Sequence, residues 1–324
     1  MEMPAALKAA LEQHVSGMEF GCLSQAAREL SEHYRLAGGQ GSRGVTDETA
    51  AASYALARMP ATYGAVSSAL QYALECYDGA VRTLQDAGAG TGAASWAADS
   101  LLDLEAITCI EREESMRRLG KRLMASGSEA LRRADWVTRD LTRMETLPRA
   151  DLVIAAYVLG EMRPAGRVKT AEKLWDAANG LLLIVGPGTP ESYAQMMGVR
   201  SALLGEGAHL IAPCPHGGVC ALGENDWCHF TCRVSRSRMH RQLKGGDAPF
   251  EDEKFCYLAF SKNPARRAAA RVLRHPGLGS GFVKLRVCTE DEIRDTTVTR
   301  KNQDLYKQAR KAKCGDRLEL PATK

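Results

Sequence analysis

Three cysteines and two histidines fall within nineteen residues, APCPHGGVCALGENDWCHF at positions 212–230 of a 324-residue chain. Thiolates and imidazoles are the ligands of zinc and iron–sulfur centres, and paired thiols form disulfides. A loop this rich in proline and glycine gains little by burying free thiols, so the crowding points to a metal site or a disulfide knot. Cys214, Cys220 and Cys228 are spaced C-x5-C-x7-C, and Cys232 follows after three residues. Zinc ribbons and fingers use closer C-x2–4-C pairs. Iron–sulfur clusters take thiolates from a wider range of spacings, and a 4Fe-4S cluster needs a fourth. Cys232 and Cys288 both qualify on chemistry, with His216 and His229 as substitutes or outer-shell donors. Zinc, an iron–sulfur cluster and unliganded thiols therefore stand as three readings of the loop. The Pro213–Cys214 pair also has the form of a cytosine-C5 nucleophile. That role needs a neighbouring base or a thiolate-stabilising charge, and the crowding of cysteines makes ligation the better account.

A second constellation lies upstream. In LQDAGAGTGAASWA, Asp86, Gly88, Gly90 and Gly92 follow a predicted strand and precede a predicted helix. Glycines there permit a tight turn and close approach of backbone to a ligand. The turn partly fits a dinucleotide fingerprint, through Ala93. Its D-x-G-x-G-x-G form, with an acid two residues before the first glycine, resembles motif I of class I methyltransferases and moves the expected ligand to S-adenosylmethionine. Glu111 ends the next strand, where a carboxylate accepts both ribose hydroxyls; its competing role is a helix-start acid in the run EREE. Asp140 follows the third strand, where the methyltransferase pattern carries a polar residue near the adenine. After the fourth strand the chain reads AAYVLGEM, without the Asn/Asp-Pro-Pro-aromatic motif of amino-methylating enzymes, and no catalytic residue is assigned.

These residues need elements to position them. Residues 4–78 read as helical, with apolar residues at helical spacing in SQAARELSEHYRL, a break at GGQGSRG (38–44), and Thr46 or Asp47 as N-cap of the helix that follows. Strands are predicted at VRTLQD (81–86), AITCIE (106–111), ADWVT (134–138), DLVIAAYVL (151–159) and GLLLIVG (180–186), with room for helices between them. Such alternation predicts an α/β fold, a doubly wound parallel sheet with ligands at the C-terminal strand ends. Beyond residue 190 the alternation fades. GFVKLRVC (281–288) reads as a strand, and the tail is basic and partly helical. The expected organisation is a helical region at 1–78, a Rossmann-like S-adenosylmethionine domain at 79–205 and a cysteine-rich basic region at 206–324.

Hydrophobic content of 45% and charged content of 25% are those of an ordinary globular protein able to bury a full core. No apolar run approaches the roughly 20 residues of a membrane span. The start, MEMPAALKAALEQHV, is a poor signal or transit peptide because Lys8 and Glu12 break its apolar run, so a cytoplasmic protein without a membrane partner is expected. A reducing compartment disfavours a disulfide framework among the ten cysteines. Charge is unevenly distributed: residues 233–324 carry 22 Lys and Arg against 11 Asp and Glu, while the remainder is net acidic. A basic third on an acidic body suggests a polyanionic partner, the alternative being a solvated surface.

Several longer stretches resemble one family. GPGTP (186–190), GAHLIAPCPHGGVC (207–220), DWCHF (226–230), RVSRSRMHRQLKGG (233–246) and EDEKFCYLAFSK (251–262), with YALARMPATYGAV (54–66), the glycine turn and LVIAAYVLGE, are similar to the methyltransferase-like family of the mitochondrial small ribosomal subunit and its bacterial relatives. The resemblance implies a class I methyltransferase fold with a 4Fe-4S cluster, acting in small-subunit maturation or as an rRNA methyltransferase. It also implies the fourth cluster ligand: the family's late L-x-x-C-T strand maps onto LRVCTE, giving Cys288 beside Cys214, Cys220 and Cys228, and leaving Cys232 and Cys256 as bystanders. The chain departs from the family pattern at Ala221, at Val185–Gly186 and at Cys314. An rRNA partner accounts for the basic third, where Arg233, Arg236, Arg238, Arg241 and Lys244 follow the cysteine loop. Two alternatives remain: a methyltransferase for a protein or small molecule with a structural zinc, and a non-catalytic assembly factor.

Overall fold

The computed structural model describes residues 1–36, 45, 47–223 and 225–319. Three helices come first, α1 (Ala5–Val15), α2 (Phe20–Leu36) and α3 (Glu48–Leu74). Asp47 caps α3, its carboxylate accepting the Ala50 N–H at 2.8 Å and satisfying one of the donors a helix start leaves open. Thr46 and the GGQGSRG break lie outside the described residues. Alanines along α3 let it lie close against the sheet.

The α/β body follows as β1 (Thr83–Ala87), α4 (Ala93–Asp99), β2 (Ala106–Ile110), α5 (Glu114–Met124), α6 (Glu129–Arg132), β3 (Asp135–Val137), β4 (Ala150–Ala156), α7 (Pro164–Ala177), β5 (Ala178–Pro187), α8 (Pro190–Gly205), β6 (His209–Ala212), β7 (Phe230–Ser235), α9 (Arg238–Lys244) and β8 (Phe250–Ser261). The strand order is β3-β2-β1-β4-β5-β8-β6, with β7 also on β8. Strands β1 to β5 are parallel, and β8 runs antiparallel to its three neighbours. This is the class I methyltransferase sheet, and its order reverses between β1 and β4, where a ligand crevice is expected. Both faces are buried, so inward residues alternate: Leu152 and Ile154 join a core with α3, α4 and α5, while Val153 and Ala155 join one with α7 and α8.

A second, antiparallel sheet closes the chain, built from β9 (Ala270–Val272), β10 (Gly277–Gly279), β11 (Phe282–Thr289), β12 (Ile293–Thr299) and β13 (Arg317–Leu318), with α10 (Gln303–Lys311) packed on it. Two expectations change. The expected domain boundary at 205/206 runs through the main sheet, since β6, β7 and β8 complete it. The strand expected to reach residue 159 stops at Ala156, because Tyr157 adopts φ +61° and turns the chain. Among the described residues no helix is long and apolar enough to cross a membrane.

Asp86 ties β1 to α4. It is 1% exposed, and its Oδ2 accepts the Ser95 N–H at 3.0 Å and the Ser95 hydroxyl at 2.7 Å. Burial pushes its carboxyl up to about 6, against the Ser95 hydrogen bonds that hold it down. The folded chain therefore binds this proton more tightly than the unfolded chain, and the group's contribution to stability falls as pH rises from about 4 to about 6. Asp86→Asn should remove that slope, on the order of 3 kcal/mol across the window. Urea unfolding of both proteins at pH 4, 5, 6 and 7 checks it, and parallel pH profiles would contradict the assignment.

Candidate functional site

The crevice beyond β1 and β4 is a cavity of about 710 Å3. The Gly88 and Ala89 N–H groups both donate to the Ile110 carbonyl, at 2.9 and 3.0 Å, which folds the turn onto the end of β2. Gly88 has φ +75°, and a Cβ there would stand 2.6 Å from Val158 Cγ2, so only glycine serves. Gly88, Gly90, Glu111 and Asp140 line the cavity. Asp86 and Gly92 stand behind it, Asp86 on Ser95 and Gly92 as the left-handed N-cap of α4.

Glu111 is 9% exposed. Its Oε2 accepts the Gly90 N–H at 2.7 Å and its Oε1 accepts the Glu113 N–H at 2.8 Å. One carboxylate thus pins the glycine turn and the approach to α5, with lone pairs left for ligand hydroxyls. Asp140 Oδ1 accepts from the Thr142 N–H at 2.9 Å and hydroxyl at 2.7 Å, fixing the cavity's far wall.

Sequence reasoning missed the cavity's other end. Tyr54, Tyr157 and Glu161 line it there. A tyrosine at φ +61° carries about 1–3 kcal/mol of strain and persists only where its surroundings over-determine it. Here the Tyr157 N–H donates to the Val185 carbonyl at 2.7 Å and its hydroxyl donates to Glu253 Oε1 at 3.0 Å. Arg58 Nη2 reaches the same oxygen at 3.4 Å. Three stretches noted in the sequence, YALARM, AAYVLGE and EDEKF, thus meet at this one carboxylate. The signal was present, but nothing in the spacing said that they touch.

A smaller cavity, about 30 Å3, lies where the main sheet meets the C-terminal one. Cys214, Cys220 and Cys228 reach it from the loop between β6 and β7, and Cys288 from β11. The Tyr193 hydroxyl donates to Cys220 Sγ at 3.2 Å, and His216 Nε2 is 3.6 Å from Cys288 Sγ. Cys256 also lines the cavity, with its thiol committed to the Cys228 carbonyl at 3.0 Å. Cys232 is elsewhere: it packs in the core beneath α3, its sulfur 3.2 Å from where a Cβ on Gly64 would stand. Burial pushes the thiols of Cys214 and Cys228 up, and that of Cys288 up to about 12, with neighbouring sulfurs adding to the rise.

Two buried cations flank these thiols. Arg200, 5% exposed, donates to the His216 and Gly218 carbonyls at 3.3 and 2.6 Å, and its Nε has no partner. Arg271, 1% exposed, donates to the Pro213 and Gly315 carbonyls at 3.0 and 2.9 Å, and its Nη2 has none. Both draw the Cys214 and Cys288 thiols towards the thiolate. Arg271 has one carboxylate nearby, Glu75 at 4.0 Å, itself pushed towards its neutral form by burial. Buried charge with orphaned N–H groups calls for an anion, and a centre held by four thiolates is one. Among the described residues no three His, Cys, Asp or Glu side chains are grouped closely enough to hold a metal ion. One zinc ion requires sulfurs about 3.8 Å apart around a single point. A four-iron cluster, with each thiolate on a different iron, takes them farther apart.

The surrounding motifs interlock. Trp227 Nε1 donates to the Gly188 carbonyl at 2.9 Å, and the Gly188 N–H donates to the Lys254 carbonyl at 2.9 Å. The basic stretch that follows the loop is largely answered by the acids of β8: Arg233 donates to Asp252 at 2.8 and 3.0 Å, and Lys244 to Glu251 at 3.0 and 2.7 Å. Arg236 Nε lies 4.0 Å from Glu251. Arg238 and Arg241 have no carboxylate partner among the described residues.

The profile of a family described as mitochondrial small ribosomal subunit Rsm22 matches residues 48–319. The human mitochondrial ribosome assembly protein METTL17 is 26% identical over an alignment of 295 residues that covers 82% of this chain and 62% of that protein. The chain thus spans about 62% of the length of the curated relative it matches. Among solved structures, magnesium protoporphyrin IX methyltransferase ChlM from Synechocystis PCC 6803, with bound SAM, is 15% identical, covering 72% of this chain and 91% of that one at a TM-score of 0.42. The N-methyltransferase NodS from Bradyrhizobium japonicum WM9, in complex with S-adenosyl-L-homocysteine, is 12% identical, covering 61% and 85% at a TM-score of 0.40. With its profile matched across the methyltransferase sheet and the cysteine cavity alike, the chain belongs to the Rsm22 family of the mitochondrial small ribosomal subunit.

Proposed function

We propose that this chain is a maturation factor of the small ribosomal subunit. In this proposal its methyltransferase fold binds S-adenosylmethionine, its cysteine cavity holds a 4Fe-4S cluster, and its basic C-terminal third faces rRNA. The observation that carries it is the cysteine cavity, where three thiols of the β6–β7 loop and one of β11 share a wall with Arg271, Arg200 lies beside Cys214, and each guanidinium keeps a buried N–H with no partner among the described residues. Cys214, Cys220, Cys228 and Cys288 would hold the cluster, fastening the loop to β11. Arg200 and Arg271 would offset its negative charge. In the larger cavity the backbone at Gly88 and Gly90 makes room for the ligand, and Glu111 and Asp140 offer acceptors to its hydroxyls and amine. S-adenosylmethionine supplies a methyl group when bound. A cytoplasmic location belongs to the same proposal.

Protein purified without oxygen should absorb broadly near roughly 400 nm and carry about four irons and four sulfides per chain. One zinc and no sulfide would overturn the cluster. Cys214→Ser and Cys288→Ser should each lose the iron, while Cys232→Ser, whose thiol faces α3, should keep it. Iron retained by Cys288→Ser but lost by Cys232→Ser would reverse the ligand assignment.

Gly90→Asp should abolish S-adenosylhomocysteine binding by calorimetry, because it adds bulk and charge at φ +56° beside Glu111. Unchanged affinity would move the ligand elsewhere. Binding of a small-subunit rRNA fragment should weaken steeply with KCl. Replacing Arg238 and Arg241 together by Ala should lower the slope of log K against log salt by about 1–2. A slope unaffected by this change would remove these two residues from the RNA face.

A further inference from the structure

A third cavity, of about 960 Å3, opens on the far side of Tyr54, Tyr157 and Glu161, which line both it and the glycine-turn cavity. The two spaces therefore share one seam, made of two phenol rings and a carboxyl group. The Glu161 carboxyl accepts no hydrogen bond from a described residue. Burial pushes it up to about 7, Arg112 pulling down while Glu111 and Glu113 push up, so both of its protonation states are populated near neutral pH. The mouth carries Arg28 and Lys244 with Glu32 and Glu191, all exposed, and so has no dominant sign of charge. Lys244 closes α9, the basic helix that also holds Arg238 and Arg241.

A mouth of mixed charge selects neither a phosphate nor a cationic side chain. Aromatic faces beside an unpartnered carboxyl suit a flat, uncharged ring that bears an N–H donor. Nucleobases are that class, and enzymes that act on a base take it out of the stack into a pocket that reads its edge. We propose that this cavity seats one nucleobase unstacked from an RNA strand, its edge donating to Glu161 and its ring against Tyr54 and Tyr157, directed at the glycine-turn cavity. The flanking backbone then runs toward α9, where Arg238 and Arg241 have no carboxylate partner among the described residues and can meet phosphate. The inference rests on the first cavity being the S-adenosylmethionine site.

The test uses the full chain saturated with S-adenosylhomocysteine, titrated by calorimetry with adenosine, cytidine, guanosine and uridine, and with the tripeptide Ala-Lys-Ala. At least one nucleoside should bind. Ala57→Trp, which fills the third cavity from α3, should weaken that binding at least tenfold. Glu161→Gln, nearly isosteric, should weaken it at least threefold. Ala57→Trp, at a position that does not line the first cavity, should keep S-adenosylhomocysteine affinity within twofold, which also reports that it folds. Retained S-adenosylhomocysteine binding without any nucleoside binding, or nucleoside binding indifferent to both variants, overturns the proposal alone. Binding of the tripeptide in place of a nucleoside overturns it in favour of a protein acceptor. Failure of the unaltered chain to bind S-adenosylhomocysteine overturns the reading of the first cavity, and this one with it.

Discussion

Strand β8 pairs antiparallel with β5 from Ser261 to Phe255, and its other edge pairs with β6 and then β7. Both of its faces are buried, so Phe255, Tyr257 and Ala259 enter one core while Cys256, Leu258 and Phe260 enter the other. The segment between β6 and β7, which holds three of the five cysteines lining the small cavity, is therefore anchored to β8 at both ends. The acidic start of the same strand reaches the glycine-turn cavity through Glu253, which holds Tyr157 and Arg58. Displacing β8 would loosen the cysteine loop and the seam between the larger cavities together, because one backbone ladder positions both.

Charge compensation is the second constraint. Arg200 and Arg271 hold the cysteine loop by its carbonyls, so they have a structural task whatever occupies the cavity. Their orphaned N–H groups are a different matter. Burying such groups without partners is costly, and native proteins leave few of them. The proposed thiolate-held cluster would convert this cost into an attraction, and would also remove the protons that burial otherwise keeps on Cys214, Cys228 and Cys288. In the proposed assignment, cluster and cations would stabilise the join between the two sheets without any redox role.

The glycine turn shows the same division of labour on a smaller scale. Gly88 and Gly90 form the wall, whereas Asp86 and Gly92 make the wall possible. Asp86 fixes the first turn of α4 through Ser95, and Gly92 lets the helix begin where a side chain would strike Met124. Motif residues that look equivalent in a pattern differ in whether they meet the ligand or only hold those that do.

The sequence by itself determined what depends on local spacing. Alternating strands and helices, the glycine turn, the Asp47 cap and the cysteine-rich loop were legible, because period, turn chemistry and capping act over a few residues. The tertiary structure alone decided what depends on pairing between distant segments. Cys232 is close to Cys228 in sequence, yet strand alternation on β7 turns it beneath α3, while β11 delivers Cys288 from about sixty residues away. The basic run after the loop reads as a free cationic surface, but the β7–β8 register sets Asp252 and Glu251 against it. Arg271 reads as one more surface arginine and is a buried cation at the junction of two sheets. In each case the deciding contact crosses a sheet, and no short-range pattern encodes which strands lie side by side.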